Sequence, residues 1–155
     1  MLLALAETGL PEGVELVFFN GEDHYAAPGE QAWLAETDLD AVRMAINLDG
    51  AGVAGRQTSV AALACPPDVE EQLGRLIVGR PGWVLSAPWF ESDHAIFAMR
   101  GISSLAITCE GAHDLLATVA HTPADTLDMV DAHVLADVAS FTADWLRLLG
   151  SEALV

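Results

Sequence analysis

The sequence predicts an α/β domain, a three-layer sandwich around a mixed, mostly parallel sheet. Three observations carry this. Short β-branched or aromatic runs alternate with helix-length segments. Several of those runs end on an acid beside a glycine, as strands do where a sheet delivers its loops. The 155 residues, 52% of them hydrophobic, are the length of one domain with a substantial core. Residues 1–155 are therefore read as one unit, with no internal repeat or low-complexity tract.

Each element has its own signal. "MLLALAETGL" reads as the tail of a helix that feeds the next strand; it lacks the basic start and cleavage site of a signal peptide. "GVELVFFN", bounded by Gly13 and Asn20-Gly21, is the first strand. Ala27 to Glu36 is helical, with Pro28 near its start. "VRMAINLDG" and "SVAALAC" are the second and third strands. "PPDVEEQLGRLIVG" is a helix with a capping box of Asp68 and Glu71 and a stop at Gly79. "SDHAIFAMRG" is a short helix stopped at Gly101, and "ISSLAITCEG" is another strand. The last helix runs from near Asp131 to about Leu149, with Val134, Val138, Phe141, Trp145 and Leu148 on one face.

Composition excludes some functions. The chain has 23 acidic against 6 basic residues, which argues against nucleic-acid binding, where Lys and Arg must meet phosphates. No run approaches the roughly 20 apolar residues that a membrane helix needs. A soluble protein is expected, with a cytoplasmic location favoured. Cys65 and Cys109 have no CxxC or zinc-ribbon spacing. They are two buried thiols or a single disulfide.

Chemistry gathers at the strand ends. "NGED", "NLDGAG" and "TCEG" place Glu22, Asp23, Asp49 and Glu110 along one edge of the sheet. One such acid is ordinarily a turn former or a helix cap; several together, each after a buried run, point to a site. "AHTPADTLDMVD" adds His121, in a loop stiffened by Thr122-Pro123. Carboxylates with an imidazole on the loops of a rigid sheet suit a hydrolase metal site. In an adjacent Glu-Asp pair, one carboxylate can bind metal while its neighbour takes a proton from water.

"GED" at 21–23, "INLDGAG" at 46–52, "SDHAIF" at 92–97, "GISSLAI" at 101–107 and "HTPADTLDMVD" at 121–131 stand in one order across nearly the whole chain. Together they resemble the C-terminal part of an M28-family zinc aminopeptidase. The resemblance implies a zinc-exopeptidase (phosphorylase/hydrolase-like) fold that is incomplete at its N-terminus. It also implies two zinc ions and a peptide substrate that loses its N-terminal residue. By the same resemblance Glu22 is the general base that deprotonates metal-bound water. Asp23 and His121 are ligands of one metal, and Asp49 is a ligand of the other. Asp93 matches a position near the substrate pocket, and His94 is structural.

Two departures matter. Asp23 stands where the family most often has Glu, and "HYAAPGE" replaces the commoner continuation. More severely, the family's upstream His-x-Asp and its bridging aspartate have no counterpart in these residues. One metal then keeps two ligands and the other keeps one. The expectation is that this chain alone binds zinc poorly and lacks aminopeptidase activity. A bare sheet edge would favour a homo-oligomer, or pairing with the missing N-terminal half. A non-catalytic module that binds a partner is the alternative reading, and a zinc acyl transferase of the glutaminyl-cyclase type is a third.

Overall fold

The computed structural model describes residues 2–7, 9–21 and 27–151. In chain order the elements are α1 (Leu2–Glu7), α2 (Pro28–Glu36), β1 (Met44–Leu48), β2 (Thr58–Leu63), α3 (Pro67–Val78), β3 (Trp83–Leu85), α4 (Ala95–Ala98), β4 (Ser103–Cys109), α5 (Ala112–Thr118) and α6 (Ala132–Gly150). The four strands form one mixed sheet in the order β1-β4-β2-β3. β1 runs parallel to β4 and β2 parallel to β3, while β2 and β4 are antiparallel. This is the expected α/β sandwich.

Strand alternation sorts the core into two layers. Leu105 and Ile107 of β4 and Val60 of β2 join Val69, Leu73 and Ile77 of α3 and Val138, Phe141 and Trp145 of α6. Ala61, Leu63 and Ala106 face the other way, with Trp89 and Ala98 packed on them. The period-2 pleat forces this division. α3 buries residues four apart, and α6 presents the face read from its sequence. Asp131 caps α6, accepting a bond from the His133 amide at 2.8 Å.

Two local expectations fail. Val14–Phe19 is no strand, because among the described residues no pairing joins it to the sheet. It and the outer edge of β1 line a cavity of about 700 Å3, and Phe18 is 65% exposed. A strand-prone sequence forms a strand only when a partner completes its ladder. The capping box is also absent. Pro66 is the N-cap of α3, without a side-chain cap bond, so Asp68 sits inside the first turn. Glu71 pairs instead with Arg75, one turn on. Both cysteines are free thiols, Cys109 buried and Cys65 half-buried.

One polar cluster ties α6 to the turn between α3 and β3. Arg80 donates to the carboxylate and the backbone carbonyl of Asp137, and the Trp83 indole donates to the same carboxylate. The guanidinium lies over the Trp83 and Phe141 rings, at 5.3 and 5.5 Å from their centroids. Burial pushes the Asp137 carboxyl up, but the bonds from Arg80 and Trp83 and the Arg80 charge outweigh it and hold it below its ordinary value. Because the folded-state value is depressed, its stabilisation is complete above the unfolded value of about 3.9 and is lost as pH falls through the folded one. Asp137→Ala should cost about 1–2 kcal/mol at neutral pH in urea unfolding, with the deficit shrinking below about pH 4. A deficit that does not change with pH would contradict this account.

Candidate functional site

β1 and β4 are parallel neighbours, so their carboxyl ends lie on one edge of the sheet. Asp49 follows β1 there, and its amide donates to the Ile107 carbonyl at 3.1 Å. The backbone at the next residue favours glycine. Gly50 has φ +64°, and a Cβ would stand 2.9 Å from the Thr108 hydroxyl. Glu110 closes β4 on the same edge, donating its amide to Gln57, while Arg56 caps its carbonyl. The sequence brought these two acids to one edge, and the sheet does the same.

Asn47 lies two residues before Asp49, so the pleat turns both side chains to one face. The segment before α4 reaches over that face. Ser92 Oγ donates to Asp49 Oδ2 at 2.8 Å and accepts from Asn47 Nδ2 at 2.8 Å. Asn47 Nδ2 also lies 3.2 Å from His94 Nδ1. His94 Nε2 lies 2.7 Å from the Trp89 carbonyl, and the Trp89 ring meets the imidazole edge-on at 4.5 Å. The imidazole is 1% exposed. Burial pushes the His94 pKa down, against the Trp89 carbonyl and the Asp49 and Glu91 charges, so the ring is neutral at neutral pH.

Asp93 lines the same 700 Å3 cavity that separates Val14–Phe19 from β1, together with His94, Phe97 and Trp33. The floor is aromatic: Phe19 meets Trp33 at 5.6 Å and Trp33 meets Phe97 at 5.7 Å, both edge-on. Gly29 donates its amide to the Asn20 carbonyl at 3.0 Å, and a Cβ there would run into Asn20.

His121 is exposed, with φ +63°, in the turn after α5. Its loop returns to the acid-bearing edge. Val53 and Val130 form an antiparallel bridge, and the Ala54 and Asp131 amides each donate across it at 2.8 Å. The structure thus ties the loops that carry Asp49 and His121 to each other. Glu22 and Asp23 lie outside the described residues.

A metal ion needs three or more close donors. Among the described residues, no group of three His, Cys, Asp or Glu side chains comes together. Asp49 and His121 therefore do not by themselves fit zinc. Sequence reasoning gave Asn47 and Ser92 no role, although both fall in the quoted motifs. The available signal was the two-residue spacing of Asn47 and Asp49 on a strand that ends at a glycine.

Among the described residues no helix is long and apolar enough to cross a membrane. The family model described as peptidase family M28 matches residues 1–146. No curated protein and no solved structure matches the chain.

Proposed function

The chain belongs to peptidase family M28, and from that membership we propose that it acts as a metal-dependent aminopeptidase that removes the N-terminal residue of peptides. The observation that supports this most is the ordered set from "GED" to "HTPADTLDMVD", which falls inside the matched residues. In this reading Glu22 is the general base, accepting a proton from the water that attacks the scissile carbonyl. Asp23 and His121 would hold one metal ion and Asp49 the other, and zinc is the ion expected from the family. Asp93 and the aromatic floor of its cavity receive the substrate. The acidic balance of the chain suits the free α-amine of a peptide.

A second reading is a catalytically inactive, binding or assembly module. The family ligands that have no counterpart in these residues favour it. Titration of the metal-free chain with zinc, followed by release of amino acid from a chromogenic amide, separates the two. The aminopeptidase reading expects weak zinc binding, and turnover that appears only as zinc approaches saturation and disappears with a chelator. A tight two-ion isotherm would show that the chain completes the metal site by itself. No turnover at saturating zinc would leave the inactive module.

A further inference from the structure

We propose that His94 and Asn47 are positioning residues for Asp49, acting through Ser92. The case is a count of protons. A backbone carbonyl only accepts, so the 2.7 Å contact with Trp89 puts the ring proton on His94 Nε2. A neutral imidazole carries one such proton, so Nδ1 is left as an acceptor. The group 3.2 Å from Nδ1 must then donate, and this turns the NH2 of Asn47, not its oxygen, toward the imidazole. That NH2 has two protons. One goes to His94 Nδ1 and the other to Ser92 Oγ. Ser92 has accepted from Asn47, and its own proton goes to Asp49 Oδ2.

Each link has one consistent polarity, and the polarity is set at the buried end. With the other tautomer, Asn47 would present its oxygen to His94 and, being free to share it, would compete for the Ser92 proton. Asp49 would then face a lone pair. The chain is short; it starts at the buried His94, passes through the part-buried Asn47 and Ser92, and reaches water only at Asp49, so its inner bonds hold one geometry. His94, the residue that opens α4, thus does more than fill space: it decides which way the hydroxyl beside Asp49 points. The consequence for hydrolysis rests on the peptidase reading, in which Asp49 is a metal ligand and its orientation bears on affinity.

The test begins with the 15N spectrum of the wild-type imidazoles. His94 is expected to show a protonated Nε2 and a bare Nδ1; a protonated Nδ1 overturns the proposal without any variant. Two substitutions then divide the ring's functions. His94→Asn keeps an acceptor near the place of Nδ1 and gives up the bond to Trp89. His94→Gln keeps a donor near Nε2 and gives up the acceptor. The Asn47 side-chain amide signals should stay in place in His94→Asn and move in His94→Gln. Zinc affinity, measured by calorimetry with zinc alone, should fall about tenfold to a hundredfold in His94→Gln and by less than about threefold in His94→Asn. The opposite ranking would make His94 a packing tie to Trp89 and overturn the relay. If wild type binds no zinc, the peptidase reading loses its metal, while the imidazole and amide signals still decide the relay. Should either variant fail to fold, Ser92→Ala serves instead: it must leave the His94 tautomer unchanged and shift one Asn47 amide proton.

Discussion

Trp145→Ala is expected to remove about 3–5 kcal/mol of stability, the largest effect of any single substitution in the core. Trp145 is completely buried where α6 crosses the sheet. Its ring stacks on Phe141 at 6.4 Å and packs into the cluster shared by α3, β2 and β4. Its indole N–H faces the Met44 sulfur at 3.3 Å, which brings β1 under the same side chain. Truncation leaves a cavity that the sheet and the helices α3 and α6 would have to collapse to fill, and close-packed interiors relax only in part. A domain of this size has a total stability of about 5–15 kcal/mol, so much of the margin goes with one ring. Urea unfolding followed by circular dichroism measures it. Trp145→Phe, which keeps a ring against Phe141, should lose clearly less. A cost below about 1 kcal/mol for Trp145→Ala would mean that α6 is not docked as described.

On the proposed aminopeptidase reading, Glu22→Gln is expected to lower zinc-supported turnover by about a hundredfold to ten-thousandfold, the usual contribution of a positioned general base. Glutamine keeps the shape and removes the proton acceptor. The loss should therefore fall on kcat, with KM and the unfolding midpoint close to wild type. A fall in zinc affinity instead would reassign Glu22 as a ligand. Undiminished turnover would remove it from the mechanism. Both proteins are compared at saturating zinc, so that metal occupancy does not enter the ratio.

Much of this fold was legible, for identifiable reasons. α6 announces itself through apolar residues at helical spacing and a capping aspartate, and both are local properties. β4 and β2 are short apolar runs between turn residues, and each becomes a buried strand. What failed was what depends on partners. "VELVFF" has strand composition but gains no ladder beside β1. β3, at three residues, is too short to show a period. The antiparallel pairing of β2 with β4 is a property of topology that no window of sequence contains. At the site, Asp49 was readable as an acid at a strand end. The Ser92–Asn47–His94 chain was not, because it joins residues more than forty positions apart through the polarity of single protons. Glu22, Asp23, His121 and Asp93 keep the roles that the family resemblance gives them, as proposals.

The sheet order carries a consequence in time. β4 is the last strand in the chain, yet it lies between β1 and β2. Among the described residues β1 has no neighbour other than β4, so the pairing of Met44 waits for Ser103. β2 and β3 pair early, across the short connection through α3. During synthesis half of the sheet can therefore form while β1 stays an unpaired apolar ribbon, until residues 103–109 leave the ribosome. Such non-local closure is slow, because the entropy of the large loop is lost before any ladder bond offsets it. The strand that ends at Asp49 is the one whose arrival in the sheet is most delayed, so the candidate site takes shape only at the end of folding.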